Sequence, residues 1–331
     1  MKAVQLDRHG PPDVLQLVDL DVPAPSGTQV LVRNHAIGVN YVDVQHRAGG
    51  TYNPLDLPLI PGIEAAGLVE AVGDEVTEFR IGDRIAYAGY MGGNYAEYTL
   101  VPQDRLFPVP ATIDFDTAAA TVLQGITAYV LTHEVYPVQQ GDWMLVHAAA
   151  GGVGSLLVQI GHHLGATVVG TVSTAEKADF AAQLGADHII RYTQADFAHV
   201  TNQLTADVGV HVVYDAVGAT TFDGSLACLR KRGMLVIYGQ SSDPVPPFDV
   251  NRLSGITPGS GRGSQSITWA AGSHYIEERA DLLANASALF NLLSAGHITP
   301  HIADRLPLTD AAEAHRRLEA RQVIGKLILV P

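Results

Sequence analysis

Residues 143–172 read WMLVHAAAGGVGSLLVQIGHHLGATVVGTV, and this stretch decides the fold. Trp143 to His147 is a short apolar run of strand length. Ala149-Ala150-Gly151-Gly152-Val153-Gly154 is a glycine turn, and Ser155 to Leu164 carries apolar residues at helical spacing. Gly165 stops that helix before a second β-branched run, Thr167 to Val172. Strand, glycine turn, helix and strand make one βαβ unit. A dinucleotide's pyrophosphate needs backbone N–H donors at a helix N-terminus, and only glycine lets the main chain come close enough. Ala150, Gly151, Gly152, Val153 and Gly154 are therefore the expected cradle. A tight turn that merely packs a helix on a sheet would use similar glycines, but the strand before and the helix after favour the binding reading.

The pattern continues downstream. Ala175 to Leu184, His188 to Tyr192, Val210 to Tyr214, Thr221 to Leu229 and Met234 to Tyr238 alternate helix and strand, which predicts a parallel sheet covered on both faces. Ser266 to Trp269 would be its sixth strand, Tyr275 to Ser294 a returning helix, and Lys326 to Val330 a strand rejoining the first domain. Upstream, Asp116 to Leu131 reads as one Ala-rich helix. Before it, Gln29 to Arg33, Gly67 to Val72 and Arg84 to Tyr87 are β-branched runs broken by Gly and Pro, the texture of a compact β-rich domain. Ser254 to Ser266, rich in Gly and Ser, reads as a surface loop, with a mobile lid as the alternative.

In NAD sites an acidic residue about 20 positions after the turn binds the ribose 2′-hydroxyl. Here Gly170 to Lys177 contains no Asp and a lone Glu176, and presents Ser173, Thr174 and Lys177 instead. Hydroxyls and an ammonium suit a 2′-phosphate, so NADPH is the expected cofactor. Lys177 as an ordinary exposed helix residue is the plainer alternative.

Composition narrows the classes. The 331 residues favour two domains, and 47% hydrophobic with 16% charged residues is a globular balance. A net charge of −14 without a basic stripe argues against nucleic acid as a partner. No apolar run reaches membrane-spanning length and no secretory signal opens the chain, so the expectation is no membrane span and a cytoplasmic location. One cysteine, Cys228, excludes an internal disulfide and every cysteine-rich zinc site. Of the fourteen histidines, His162 and His163 are helix neighbours that cannot face one ligand together, and surface placement is the expectation for the histidines generally.

Taken together, Ala36-Ile37-Gly38-Val39-Asn40 with Asp43 and Arg47, Glu64-Ala65-Ala66-Gly67, Gly82-Asp83-Arg84, the run His147 to Gly154, Tyr214-Asp215-Ala216-Val217-Gly218 and Arg232-Gly233 resemble the zinc-free quinone oxidoreductase (zeta-crystallin-like) branch of the medium-chain dehydrogenase/reductase superfamily. The resemblance spans essentially the whole chain. It implies an α/β fold with a GroES-like β-rich catalytic domain at 1–124 and 271–331, a Rossmann doubly wound parallel sheet domain at 125–270, and substrate in the cleft between. Zinc-dependent relatives hold cysteine, histidine and cysteine where this chain has Asn40, Ile63 and roughly Leu123, so no zinc is expected. Without a Lewis acid, hydride donation to an electron-poor quinone or activated alkene is the favoured chemistry.

By the same resemblance Lys177, Tyr192 and Arg321 gather around the 2′-phosphate with Ser173 beside it. Asn40 and Thr127 flank the nicotinamide, and Gly218 with Gly239, Gln240 and Ser241 borders the cofactor. Water or a side chain near Asn40, Asp43, Gln45 and Tyr52 would supply the proton. A structural role for Asp43 and Tyr52 is the alternative, with Asp43 pairing to Arg47. Gln45 replaces an aromatic found in relatives, which makes that face more polar, and Trp269 replaces an arginine of a bacterial pattern. A homodimer is the family-level expectation, formed through the edge strand near Ser266 to Trp269. The rival functions are an alkenal or enone double-bond reductase and a non-catalytic NADPH-binding redox sensor.

Overall fold

A computed structural model describes residues 1–50, 55–89, 93–256, 258 and 261–331. In chain order the elements are β1 (Lys2–Gln5), β2 (Gln16–Asp19), β3 (Gln29–Val39), α1 (Tyr41–Ala48), β4 (Glu64–Val72), β5 (Arg84–Ala88), β6 (Tyr98–Pro102) and β7 (Phe107–Pro108). Next come α2 (Phe115–Ala119), α3 (Val122–Val130), β8 (Trp143–Val146), α4 (Gly152–His163), β9 (Thr167–Val172), α5 (Ala175–Gln183), β10 (His188–Arg191), α6 (Phe197–Leu204), β11 (Val210–Asp215), α7 (Phe222–Cys228), β12 (Leu229–Ile237) and β13 (Ser266–Trp269). The chain ends with α8 (Arg279–Ser294), β14 (Ile302–Pro307), α9 (Ala311–Glu319) and β15 (Lys326–Val330). It divides into two compact units: Met1–Ile126 with Ile276–Ser294 and Pro300–Pro331, and Thr127–Tyr275 with Ala295–Thr299.

The first unit is built on a seven-stranded sheet, ordered β14-β15-β3-β4-β5-β7 with β6 also on β3. All its pairings are antiparallel except β14 with β15. Apolar residues of these strands face one core, with Val30, Val32, Ile37, Tyr87, Val101, Leu327 and Leu329 almost wholly buried, and Tyr95 joins them from the segment before β6. Burying each such side chain contributes about 1.5–3 kcal/mol, and this is what fixes the register of a sheet with so many antiparallel pairs.

The second unit has a six-stranded, all-parallel sheet, ordered β10-β9-β8-β11-β12-β13. Its strands read as continuous apolar runs because both faces are covered, and Leu145, Val169, Val213 and Leu235 are fully buried. The chain runs outward from β8 to β10, then returns to β11 on the other side. The strand order therefore reverses between β8 and β11, and ligands of open α/β sheets bind outside the carboxyl ends of the strands at such a reversal.

Three local expectations need correction. Asp116 to Leu131 is not one helix: α2 ends and α3 begins around Thr121, and a wide turn, Leu131–Val135, follows α3. The buried carboxylate of Glu64 accepts the Leu123 N–H at 2.6 Å, so the new helix starts on a charge that favours its N-terminus. β12 begins at Leu229 rather than Met234, with its register against β11 shifting between Val210 and Val212 and Arg232 in left-handed backbone at φ 62°. Third, His46, His147 and His315 lie in the interior rather than at the surface. The Ser254 to Ser266 loop is tied down where it is described. Arg262 donates to Ala227 O at 2.9 Å, Leu229 O at 3.0 Å and Asn202 Oδ1 at 3.0 Å. Residues 257, 259 and 260 of that loop lie outside the described residues.

Candidate active site

In the second unit the glycine turn follows β8 directly. Ala148 takes a left-handed φ of 51°, Gly151 N–H donates to Ala148 O at 2.8 Å, and Ala149 N–H reaches across to Thr171 O at 3.1 Å. Gly152 then opens α4, whose first N–H groups have no acceptor within the helix. A Cβ on Gly154 would stand 2.2 Å from the Ala148 carbonyl oxygen, so only glycine lets helix and turn close up here. The cradle of Ala150, Gly151, Gly152, Val153 and Gly154 is thus a helix N-terminus of the kind that binds phosphate.

Beneath it lies a network that sequence reasoning missed. His147 meets Thr171 Oγ1 through Nδ1 at 2.9 Å and Ser225 Oγ through Nε2 at 3.0 Å. Ser225 gives its own proton to Asp215 Oδ2 at 2.9 Å. The serine oxygen must therefore accept from Nε2–H, which leaves Nδ1 to accept from Thr171. Burial pushes the His147 pKa down despite Asp215 nearby, keeping this neutral tautomer. The other Asp215 oxygen accepts Val217 N–H at 2.8 Å, Gly218 N–H at 3.1 Å and the Thr221 hydroxyl at 3.0 Å. One imidazole and one carboxylate thereby link the glycine turn to the Gly218 loop. That loop pairs with the next: Ser241 N–H donates to Ala216 O at 3.0 Å, and a Cβ on Gly218 would meet Gln240 Cα at 3.3 Å. Gly218, Gly239, Gln240 and Ser241 are thus brought together.

Ser173, Lys177 and Tyr192 also share one end of the sheet. Tyr192 N–H donates to Val172 O at 3.1 Å, and Thr193 Oγ1 to Ser173 O at 2.9 Å. Thr174 caps α5 by accepting Lys177 N–H at 3.2 Å, which sets the Lys177 side chain in the first turn. Tyr192 is 42% exposed and borders a cavity of about 480 Å³ lined also by Asp196, Phe197 and Gly224. Thr127 lies on α3, and a Cβ on Gly272 would be 3.8 Å from its Oγ1. Arg321 belongs to the first unit, in left-handed backbone at φ 57° just after α9.

In the first unit Asn40 precedes α1 and is buried. Its Nδ2 donates to Glu64 Oε2 at 3.1 Å and Gly38 O at 3.3 Å, while its Oδ1 accepts from Lys326 Nζ at 2.7 Å and from Gln124 Nε2. An amide has two donor and two acceptor positions, so that of Asn40 is fully committed. Lys326 also donates to Glu64 Oε2 at 2.6 Å, and both side chains are buried. Burial pushes the lysine pKa down, and the glutamate pulls it back up. Lys326 and Gln124 are therefore partners of Asn40 that sequence reasoning did not name, and Glu64 stood there only as part of a motif, without a role. The available signal was a charged residue opening the wholly apolar strand Lys326 to Val330, which argues for a paired charge.

Asp43 is wholly buried, accepting Asn40 N–H at 2.8 Å and the Tyr95 hydroxyl at 3.2 Å. The anticipated pairing with Arg47 is absent: that guanidinium binds Glu319 bidentately at 2.6 and 3.1 Å, because α9 brings a carboxylate to a fork geometry that Asp43, engaged by α1's own entry, cannot offer. Burial lifts the Asp43 pKa to about 7. Gln45 lies half-buried on α1, and Tyr52 falls outside the described residues. The Asn40 amide and the Leu123 N–H both reach the Glu64 carboxylate, while Ile63, expected at the place of the relatives' histidine, is a buried aliphatic side chain that can hold no metal. Among the described residues no three His, Cys, Asp or Glu side chains are grouped to hold a metal ion, and no helix is long and apolar enough to cross a membrane.

Comparison with known proteins adds to this geometry. Residues 26–111 match the alcohol dehydrogenase GroES-like domain, and residues 184–329 match a family model described as zinc-binding dehydrogenase. The chain is 41% identical to a 2-haloacrylate reductase of a Burkholderia species, over 99% of this chain and 98% of that one. It is 40% identical to a quinone oxidoreductase of Pseudomonas aeruginosa, over 100% and 99%. The crystal structure of Escherichia coli quinone oxidoreductase complexed with NADPH superposes with a TM-score of 0.95 at 37% identity, each chain fully covered.

Proposed function

The chain belongs to the zinc-free quinone oxidoreductase type of the medium-chain dehydrogenase/reductase superfamily, and we propose that it is an NADPH-dependent enzyme that reduces quinones. The observation that carries this is the glycine cradle at Gly151 to Gly154, which leaves main-chain donors at the start of α4 and no room for a side chain at Gly154. When bound, NADPH supplies a hydride. The α4 amides would hold its diphosphate, while Ser173, Lys177, Tyr192 and Arg321 would hold the 2′-phosphate. The full-length relative of known structure complexed with NADPH supports that choice.

Asn40 and Thr127 would border the nicotinamide. With both faces of its amide committed, Asn40 would act as a fixed wall rather than as a proton donor. Asp43 is sealed behind it and would serve to shape α1, leaving water or the Gln45 and Tyr52 neighbourhood to supply the proton. The acceptor would be a quinone, a carbon framework electron-poor enough to take hydride without a Lewis acid. Reduction of an activated alkene is the second reading, favoured by the 41% identical relative named for 2-haloacrylate. A homodimer through β13, the last strand of its sheet, and a cytoplasmic setting complete the proposal. The exposed Trp269 on that edge strand supports the dimer.

The test is NADPH consumption with 1,4-benzoquinone and 9,10-phenanthrenequinone against a panel of enones, enals and 2-haloacrylate. Quinone turnover at higher kcat/KM than any alkene is expected. Preference for an alkene would move the assignment to the second reading, and tight NADPH binding without turnover of any acceptor would leave a redox sensor.

A further inference from the structure

We propose that Lys326 is a positioning residue for the nicotinamide end of the cofactor site, acting through Asn40; this rests on the reading that Asn40 borders the nicotinamide. The pairing of Leu327 in β15 with Val39 in β3 places Lys326 beside Asn40, at the point where β3 gives way to α1. Its ammonium lies 2.7 Å from Asn40 Oδ1 and 2.6 Å from Glu64 Oε2, and Glu64 Oε2 in turn accepts Asn40 Nδ2–H at 3.1 Å. The three side chains form a closed triangle of cation, anion and amide.

An asparagine amide is nearly symmetric in shape, so packing alone does not choose between its two orientations. Charge does. Turned over, Asn40 would set its NH₂ against the ammonium and its oxygen against the carboxylate, so the triangle admits one orientation only. The space is closed as well, since a Cβ on Gly38 would stand 2.1 Å from Glu64 Oε2. Replacing a buried ion pair by neutral groups of like volume is often neutral or favourable for stability. Stability therefore does not explain why this pair is present, whereas fixing one polar wall of a binding site does. The lysine touches neither cofactor nor acceptor in this account.

The test uses the full-length protein with Lys326→Met and Glu64→Gln combined, so that neither charge is left buried alone. The expected result is a melting temperature within about 5 °C of wild type and an NADPH Kd within about threefold of wild type, because the diphosphate cradle lies elsewhere. The emission of the bound nicotinamide should change, and kcat should fall about 10- to 100-fold with little change in acceptor KM, as expected when a reacting group is held less well. A folded double variant with wild-type emission and wild-type kcat overturns the proposal. Should that variant fail to fold, Lys326→Gln with Glu64→Gln keeps a hydrogen bond between the two chains without charge, and the same readings decide. Asn40→Ala separates the premise from the inference. If Asn40→Ala also leaves emission and kcat unchanged, the placement of Asn40 beside the nicotinamide is wrong. If Asn40→Ala changes both while the double variant changes neither, the role of Lys326 alone is wrong.

Discussion

Asp43 and His315 meet the Tyr95 hydroxyl from two sides, at 3.2 Å and 3.0 Å, and burial moves their pKa values in opposite directions. Asp43 rises from 3.8 to about 7, so between those values the folded protein keeps a proton that the unfolded chain has lost. Its contribution is complete below pH 4 and is lost as pH rises through 7. His315 falls from 6.5 to about 3, driven by burial and then by Arg47, so its contribution is complete above 6.5 and is lost as pH falls towards 3. Each slope is about 1.4 kcal/mol per pH unit, and they oppose each other between pH 4 and 6.5. His46 and His147, also held neutral by burial, add to the loss at falling pH in every variant, so the test is the difference from wild type. Across that range urea midpoints should fall more steeply with falling pH in Asp43→Asn than in wild type, and less steeply in His315→Gln; parallel profiles for all three proteins would contradict the assignment. The same residues mark the limit of what the sequence could say. Ser173, Lys177 and the glycines could be nominated from sequence because a phosphate site of the proposed kind is built from residues close together in the chain. Lys326 was not, because its partners Asn40 and Glu64 lie 286 and 262 residues away, and His147 meets Ser225 across 78.

At the scale of elements, the close approach of α4 to the turn before it depends on one missing methyl group. Gly154→Ala would drive a Cβ to 2.2 Å from a main-chain oxygen that cannot swing aside. A loss of about 1–3 kcal/mol in stability is expected, together with at least a tenfold weaker NADPH Kd, read by thermal melting and by fluorescence titration. An unchanged Kd would mean that the diphosphate does not use this turn. The parallel strands were legible from their unbroken apolar runs. Short helices were harder: α6 and α9 went unread although Asp196 caps the first by accepting Ala198 and His199 N–H groups. Both follow turns rather than long apolar stretches, so the helical period has little length in which to show. The break at Thr121 was invisible because the carboxylate that receives the start of α3, Glu64, lies on β4, 59 residues from Leu123.

At the scale of the whole molecule, the proposed dimer predicts a sedimentation mass twice that of the 331-residue chain, shifting to the monomer when Trp269→Glu places a charge on the edge strand; a wild-type monomer at micromolar concentration would contradict it. The central claim, however, is that this protein grips a phosphorylated dinucleotide. It is tested most directly by titrating wild type and Lys177→Ala with NADPH and with NADH. A charge-assisted contact contributes about 1.5–3 kcal/mol, or roughly 10- to 100-fold in affinity. Wild type should therefore bind NADPH at least tenfold more tightly than NADH, and Lys177→Ala should lose most of that margin while binding NADH as before. Equal affinities in wild type, or a margin untouched by the substitution, would contradict the account.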